Sequence, residues 1–422
     1  MSKTLHARHV VVLAALAAST MLATTANAAD CPAFTNPVYV TGSSASQPVL
    51  ASIAGVLAAA AAPVTVVYIK TESCQGVTSI VTPAAAPANA TYWPGGVATT
   101  CTIAAGSQTV DVGVSDVFPT TCPNITLPAT QTDYQGPVQA MTFVVHPSST
   151  ETSISSEAGR VVLKYAGTGS YPLSPWSDVN NLFIRPGGAT GSGTRAMIGT
   201  AVGLNDGDWK GTVKAGSADV LAAVAGASAA ANASLGILSV TLADKNRVGG
   251  TGVTTPVKVL TFQAKGQTCG YFPDSSSTSF DKLNVREGRY AIWGPLHFIA
   301  NTSGGKPVSA ANPGGGDAAV QQFIDYVTMN KANAAITAVQ KMAIIDATAA
   351  AKVIPQCAMR VRRNAEVGAE ASFVPDESCG CYWESKANGA APASCKTCPG
   401  GDGDCASTPS TPTCRYGFCE AK

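Results

Sequence analysis

The sequence predicts a two-lobed α/β protein that ends in a disulfide-rich C-terminal tail. Short β-branched runs alternate with Ala-rich helical runs between residues 37 and 116, which is typical of a parallel sheet covered by helices. A second α/β pattern follows between residues 138 and 240 and predicts the second lobe. Eight of the 13 Cys lie in the last part of the chain, where aliphatic residues are scarce, so this tail needs disulfides or metal.

The N-terminal segment has the pattern of a secretory signal peptide. Lys3 and Arg8 precede an apolar run at 10–22, and small residues at 26–28 form a cleavage signature. The apolar run is too short to span a membrane comfortably, and no later window reaches about 18 uninterrupted apolar residues. We therefore expect cleavage after Ala28 and a mature chain that is periplasmic or secreted.

The Cys-rich tail has two interpretations. Export favours disulfides, and the odd number of Cys leaves at least one of them unpaired. Cys379 with Cys381, and Cys395 with Cys398, have spacings that could ligate zinc, but the later spacings are irregular. Disulfides are the favoured interpretation, and a zinc site is the alternative.

The composition shifts also predict domain boundaries. The predicted parts are the signal peptide at 1–28, a discontinuous lobe 1 at 29–136 and 256–356, lobe 2 at 137–255, and the C-terminal extension at 357–422. The strand-like segments 257–262 and 290–295 are expected to return the chain to lobe 1.

Charge and motif content exclude several classes of protein. The net charge is +1 and only 13% of residues are charged, which leaves little material for a basic nucleic-acid-binding face. The chain has neither a Gly-x-Ser-x-Gly elbow nor a His-Glu-x-x-His helix. His146 and His297 have no partner cluster nearby in sequence, which favours a structural role for both. We expect a monomeric binding protein that is not an enzyme and uses no cofactor or metal.

Three loops rich in Ser, Thr and Gly each connect a strand to a helix. They lie at 41–48, 71–76 and 187–194. A helix N-terminus carries unpaired backbone N–H groups and a partial positive charge, so helix starts that converge can bind an anion. A further buried strand ends at Asp116, and the carboxyl ends of strands in open α/β sheets are where ligands bind.

These loops supply many hydrogen-bond donors and one acceptor. The candidate donors are the hydroxyls of Ser46, Ser73, Ser192 and Thr194 and the backbone N–H groups of Gln47, Cys74, Gly193 and Thr194. Asp116 would accept, which selects phosphate over sulfate because only phosphate keeps a proton to donate at neutral pH. Arg185 or Arg195 could add a bidentate contact. Any one of these loops alone is more often a simple cap or turn, and the combination is what favours a site.

The region from about 37 to 350 resembles the type II periplasmic substrate-binding proteins, and in particular the phosphate-binding component of bacterial ABC importers. The similar motifs are Gly-Ser-Ser-Ala-Ser-Gln-Pro at 42–48, Glu-Ser-Cys-Gln-Gly-Val at 72–77, Asp-Val-Gly-Val-Ser-Asp at 111–116 and Gly-Ser-Gly-Thr at 191–194. The resemblance implies a type II fold, a phosphate ligand and an ABC permease of the inner membrane as partner. It also implies ligand contacts at Ser46, Gln47, Ser73 and Asp116, together with the Gly-Ser-Gly-Thr donor loop.

Two departures from the family pattern lie at the predicted pocket. Arg185 precedes Ser192 by seven residues, whereas the family's Arg precedes that Ser by four, so Arg195 is a candidate substitute. Glu72 replaces a Gly, and a carboxylate beside the pocket would weaken anion binding unless it points away or pairs with an Arg.

Two functions are compatible with these features. The first is an exported solute-binding protein that clamps an oxyanion, inorganic phosphate first of all, and delivers it to an ABC importer. The alternative is a non-transport surface or extracellular binding module with the same fold and a different anionic ligand. A phosphatase-like enzyme is disfavoured because the sequence shows neither a metal cluster nor an activated nucleophile.

Overall fold

The computed structural model describes residues 29–83, 89–103, 108–171, 174–248, 253–329 and 336–421. The predicted signal peptide at 1–28 lies outside the described residues. The strands of the described parts are β1 (Ala29–Asp30), β2 (Pro37–Ser43), β3 (Thr65–Thr71), β4 (Asn89–Tyr92), β5 (Thr99–Thr102), β6 (Val112–Ser115), β7 (Gln131–Val145), β8 (Ser153–Ser155), β9 (Leu182–Ile184), β10 (Thr212–Val213), β11 (Leu235–Ser239), β12 (Lys258–Val259), β13 (Thr261–Gln263), β14 (Trp293–Ser303), β15 (Lys306–Pro307), β16 (Val361–Arg362), β17 (Ala371–Ser372), β18 (Thr413–Arg415) and β19 (Phe418–Glu420). The α-helices are α1 (Gln47–Ala58), α2 (Ser73–Val81), α3 (Ser156–Tyr165), α4 (Gly193–Val202), α5 (Ser217–Gly226), α6 (Val240–Lys245), α7 (Leu283–Arg286), α8 (Asp317–Thr328), α9 (Ala338–Ala350) and α10 (Gly380–Asn388).

Lobe 1 is built on a sheet with the strand order β1-β5-β4-β3-β2-β6. Strands β2, β3 and β6 are parallel, and β2 is buried along nearly its whole length, as its run of β-branched and aromatic residues predicts. Helix α1 packs its apolar side chains, among them Leu50 and Ile53, onto this sheet and onto α8 and α9. Burying a Leu or Ile side chain contributes about 1.5–3 kcal/mol, so this layer is a large part of the stability of lobe 1.

Lobe 2 is a second α/β layer with the strand order β7-β11-β9-β10. Strands β9, β10 and β11 are parallel to each other, and β11 pairs with β7 in the antiparallel sense. Helices α4 and α5 pack on this sheet, and the small residue Gly236 in β11 lets α5 come close. The segment between β9 and α4 contacts lobe 1, because the Gly191 carbonyl accepts from the backbone N–H of Cys74.

Two long strands connect the lobes. Strand β14 pairs with β6 of lobe 1, β7 pairs with β11 of lobe 2, and β7 and β14 pair with each other along most of their lengths. The register shifts between Pro295 and His297, at the middle of this ladder. The lobes are therefore joined by a two-stranded connection, and the predicted fold class, a two-lobed type II α/β architecture with a disulfide-rich tail, is confirmed.

The chain returns to lobe 1 later than the sequence pattern suggested. Strand β12 pairs with β7 at Val144 and Val145, and β13 pairs with β8, so the segment that was expected to return at residue 256 lies in lobe 2. The return occurs through β14. Periodicity identifies a buried strand but does not identify its sheet neighbour, which is why the boundary was misplaced.

The tail is held by disulfides, as predicted. The pairs in the tail are Cys357–Cys379, Cys381–Cys395, Cys398–Cys414 and Cys405–Cys419, and lobe 1 contains Cys31–Cys101 and Cys74–Cys122. The remaining Cys269 is exposed and is in no disulfide. The cysteines with zinc-like spacing belong to three different disulfides. Within the described ranges, no helix is long and apolar enough to cross a membrane.

Residues 354–372, here called the C-terminal strap, lie across both connecting strands. The strap pairs with β7 through a bridge between Ile354 and Val138, and Gln356 Nε2 donates to the Gly136 carbonyl at 2.9 Å. On the β14 side, Arg363 stacks over the Trp293 ring at 3.8 Å. The strap therefore contacts the connection on which any movement of the lobes depends.

Residues 373–421, here called the cystine module, follow the strap and contact both lobes. Its helix α10 packs against α9 of lobe 1. Glu384 of α10 also forms an ion pair at 2.6 Å with Arg286 of α7. Helix α7 is tied to lobe 2 because Lys282, the residue before it, pairs with Asp244 of α6. Arg286 is fully buried and donates a further hydrogen bond to the Ala358 carbonyl at 2.9 Å. The tail is thus an integral part of the folded body.

Candidate anion site between the lobes

Asp116 lies at the centre of the candidate site, just after β6. Its side chain is buried, and its Oδ2 atom accepts hydrogen bonds from Ser43 Oγ at 2.6 Å and Ser73 Oγ at 3.0 Å. Its Oδ1 atom is buried and has no hydrogen-bond partner among the described residues. Burial raises the pKa of Asp116 to about 6, and the two serine hydroxyls offset only part of that effect. At neutral pH the carboxylate is therefore charged, and its Oδ1 atom can still accept a hydrogen bond.

The sheet of lobe 1 brings these residues together. Strand β2 runs parallel to β6, with Gly42 opposite Val114, so Ser43 and Asp116 leave the sheet side by side. Gly42 has φ +136°, and a Cβ there would collide with the carbonyl oxygen of Val114. This position therefore requires Gly. Ser73 begins α2 on the other side of β2.

The N-terminus of α4 in lobe 2 lies directly against this cluster. A Cβ placed on Gly193, the first residue of α4, would lie 2.8 Å from Asp116 Cβ and would also overlap Ser73 Oγ. The backbone N–H of Cys74 donates to the Gly191 carbonyl at 3.3 Å, which is a second contact between the lobes. The N-cap residue Ser192 makes no side-chain capping bond, so its hydroxyl does not occupy the first-turn N–H groups of α4. The lobes are thus closed here.

Arg185 is fully buried but does not reach Asp116. Its Nη1 atom donates to the Lys214 carbonyl at 2.8 Å, and its Nη2 atom forms an ion pair with Glu72 Oε1 across the lobe boundary. Its Nε atom is buried and has no partner within the described part of the chain. Burial raises the pKa of Glu72, and the charge of Arg185 lowers it by less. The extra carboxylate beside the pocket is therefore paired with an Arg.

Arg195 is directed away from the cluster. Its guanidinium pairs with Asp206 at 3.1 Å and stacks over the Trp209 ring at 5.0 Å. Its Nη1 atom donates to the Arg185 carbonyl at 3.0 Å. A cavity of about 130 Å³ lies between the lobes here, lined by Arg195 and Ser192 of lobe 2 and by Cys74 and Thr121 of lobe 1. Arg195 thus lines the cavity between the lobes, and its contact with a ligand stays a prediction.

The other predicted site residues, Ser46, Gln47 and Thr194, lie on elements next to Ser43, Ser73 and Asp116. Ser46 is buried and donates to the Ser43 carbonyl at 2.8 Å, while Gln47 is the first residue of α1. Thr194 is buried, and its hydroxyl contacts Met141 Sδ at 3.5 Å. The structure brings Ser73, Asp116 and Gly193 into direct contact, with Ser192 and Thr194 on either side of Gly193. Ligand contacts by these residues remain predictions.

Three residues at the site were not predicted. Ser43 donates the shortest hydrogen bond to Asp116, and its position after Gly42 in the first loop could have indicated it. Gln139 of β7 is buried, contacts the Ala45 carbonyl at 3.4 Å, and has an unpartnered Oε1 atom among the described residues. Glu366 comes from the C-terminal strap, and no local pattern marks it.

Glu366 is a second acid close to Asp116. Its Oε2 atom accepts from the backbone N–H of Phe118 at 3.2 Å. Its Oε1 atom is buried without a partner among the described residues, 3.4 Å from the point where a Cβ on Gly294 would lie. The Asp116 carbonyl oxygen is 3.7 Å from that same point. Burial raises the pKa of Glu366 to about 8, with a smaller contribution from the charge of Asp116. The strap thus places a carboxyl that is protonated at neutral pH beside the connecting strands.

Comparisons with known proteins give structural similarity only. No family model matches the sequence, and no curated protein matches it. A putative phosphate ABC transporter substrate-binding protein with bound phosphate from Clostridium perfringens is 13% identical, with a TM-score of 0.46, over 76% of this chain and 99% of that one. An ABC-type phosphate transport receptor from Vibrio cholerae is 13% identical, with a TM-score of 0.41, over 71% and 96% of the two chains. The reduced OxyR regulatory domain from Pseudomonas aeruginosa is 12% identical, with a TM-score of 0.37, over 68% and 96%. Because every one of these TM-scores is below 0.5, the ligand has to follow from this chain's own residues.

Proposed function

We propose that this protein is an exported, two-lobed binding protein that clamps a small protonated oxyanion, inorganic phosphate first of all, between its lobes. The observation that carries the proposal is the buried Asp116, which lies where the start of α4 meets lobe 1 and whose Oδ1 atom has no hydrogen-bond partner among the described residues. The lobes separate to admit the ligand and close on it. No covalent chemistry is needed for this role.

The chemistry of the site supports an anion that carries a proton. The first-turn N–H groups of α4 and the hydroxyl of Ser192 are donors, while the Ser73 hydroxyl donates to Asp116. A helix N-terminus also favours negative charge. Asp116 Oδ1 is an acceptor that a donor on the ligand can satisfy. Phosphate at neutral pH offers both acceptors and a proton, whereas sulfate offers acceptors alone.

The compartment and the partner are also part of the proposal. Six disulfides support an oxidising compartment, which agrees with the predicted cleavage after Ala28. An ABC permease of the inner membrane is the proposed partner of the closed, liganded form.

Replacing Gly193 by Ala tests whether the ligand is held here. The added Cβ would overlap Ser73 and Asp116, and Asp116 Cβ cannot move aside without shifting the end of β6. We expect phosphate affinity, measured by isothermal titration, to fall at least tenfold, about 1.4 kcal/mol, because the lobes no longer close fully.

A matched control is Gly226→Ala at the end of α5, where an added Cβ would meet no heavy atom within 4 Å. This variant should bind phosphate as the wild type does. If the Gly193 variant, shown to be folded by circular dichroism, keeps wild-type affinity, phosphate does not bind at this junction of the lobes.

The alternative role, a non-transport surface or extracellular binding module, is favoured by the tail. The strap and the cystine module contact both lobes, and a transport receptor must reopen to release its ligand. Exchange of bound radiolabelled phosphate separates the two roles. Exchange within seconds agrees with delivery to a permease, and exchange over hours favours the surface role.

A further inference from the structure

An ion pair between Glu72 and Arg185 crosses the lobe boundary. Glu72 is the N-cap residue of α2 in lobe 1, and Arg185 follows β9 in lobe 2. The next residue after Glu72 is Ser73, which hydrogen-bonds Asp116. The pair therefore lies at the edge of the proposed anion site and belongs to both lobes.

Because Arg185 is buried, its ion pair with Glu72 stabilises the closed arrangement of the lobes. The Arg185 side chain is 0% exposed and that of Glu72 is 17% exposed. A buried charge that loses its partner is strongly destabilised, so the closed form needs an anion at this position. Glu72 supplies that anion from within the chain. The closed form can therefore be populated without any ligand.

The same contact sets Glu72 in competition with a bound oxyanion. A guanidinium binds carboxylates and phosphates through the same donor geometry. Two of the Arg185 nitrogens already donate, to Glu72 and to the Lys214 carbonyl, and the buried Nε atom has no partner among the described residues. An anion that approaches this guanidinium must move the Glu72 carboxylate aside or tolerate its charge.

The surroundings of Glu72 support its displacement. Burial raises the pKa of Glu72 more than Arg185 lowers it, and the charge of Lys70 has a smaller lowering effect. Asp116 is a second negative charge in this region. The carboxylate is therefore less favourable here than an exposed one, and it can be released when a better anion arrives.

We propose that Glu72 is a built-in counter-anion of Arg185, which closes the lobes without ligand and which an incoming oxyanion must displace. This inference rests on the proposed function and adds a determinant of its affinity. It lowers the apparent affinity of the site, because ligand enters only the open form. The smaller the fraction of protein that is open without ligand, the weaker the apparent binding. Ligands that match the guanidinium in a bidentate manner, such as phosphate, displace Glu72 better than singly contacting anions.

The test is Glu72→Gln, which keeps the shape of the side chain and removes its charge. Phosphate affinity by isothermal titration is expected to rise about ten- to a hundredfold, because a like charge a few ångströms from the ligand is removed. Small-angle X-ray scattering of the ligand-free variant is expected to give a larger radius of gyration than the wild type. Phosphate should return the variant to the wild-type value.

Two further variants keep the test decisive. Glu72→Asp retains the charge but reaches Arg185 less well, so its gain in affinity should be modest and well below that of the Gln variant. Glu157→Gln removes an exposed carboxylate from α3 and should change neither readout.

If the Glu72→Gln variant is poorly folded, the Glu72→Asp variant is compared with the wild type by thermal shift against added phosphate. A shorter carboxylate that reaches Arg185 less well should then give a modest gain in affinity, and an affinity equal to that of the wild type would contradict the competition.

The outcomes separate this inference from the proposed function. If the wild type binds phosphate and Glu72→Gln binds no more tightly and scatters identically, the counter-anion role is overturned and the proposed function stands. If neither protein binds phosphate, the proposed function fails and the inference fails with it. Tighter binding together with a more open ligand-free form supports both.

Discussion

Replacing Asp116 by Asn is expected to raise sulfate affinity relative to phosphate affinity by about 100-fold, close to 3 kcal/mol. In the wild type, a sulfate between the lobes would face the unpartnered Oδ1 of an ionised, buried carboxylate. The amide removes that like charge and offers an N–H donor instead. Phosphate should lose about tenfold, because its proton would donate to a neutral oxygen rather than to a charged one.

The measurement is a pair of titrations, phosphate and sulfate, on the wild type and the Asn variant at pH 7.5. This pH lies above the pKa of about 6 for Asp116, so the wild-type carboxylate is ionised. The hydroxyls of Ser43 and Ser73 can donate to the amide oxygen as they do to the carboxylate, so the fold should be retained. Unchanged selectivity in a folded variant would remove Asp116 from the site.

Replacing Glu366 by Gln is expected to reduce the loss of stability that the wild type shows as the pH rises. The pKa of Glu366 is raised by burial to about 8, so the folded protein holds a proton that the unfolded chain loses near pH 4.5. Stability is therefore fully present below the unfolded pKa and falls as the pH rises toward 8. We expect a loss of about 3 kcal/mol, less than the roughly 5 kcal/mol of the full shift, because the strap can relax and hydrate the acid.

Urea unfolding with intact disulfides at pH 5, 7 and 9 measures this effect. Gln keeps an acceptor for the Phe118 N–H and carries no charge, so the variant should show a flatter profile than the wild type. Glu157→Gln, on the surface of α3, should follow the wild type. A Glu366 variant with the wild-type pH profile would mean that this carboxyl is hydrated in the folded protein.

The part of the site within lobe 1 follows from local sequence patterns. Parallel strands that end in Ser and Asp place those side chains at one sheet edge, and Gly42 is required by the backbone between them. The Gly-Ser-Gly-Thr loop similarly predicted a helix start directly after it, at Arg195, and α4 begins two residues earlier at Gly193. These features depend on residues close in sequence, which is why periodicity and turn chemistry reveal them.

The remaining features depend on long-range packing. Glu366 contacts Phe118 across 248 positions in the chain, and no pattern near either residue indicates it. The directions of the guanidinium groups of Arg185 and Arg195 were also beyond prediction, because a planar five-donor group can serve several partners. The misplaced boundary at residue 256 has the same origin, since β12 joins β7 by tertiary pairing.

Titration of the mature wild-type protein tests the central claim most directly. Bound ligand is first removed by unfolding with the disulfides intact and refolding, and phosphate and sulfate are then titrated separately at pH 7.5. We expect saturable binding of one phosphate per chain and no heat from sulfate at the same concentrations. A folded protein that binds neither anion, or binds both equally, would contradict the proposed function.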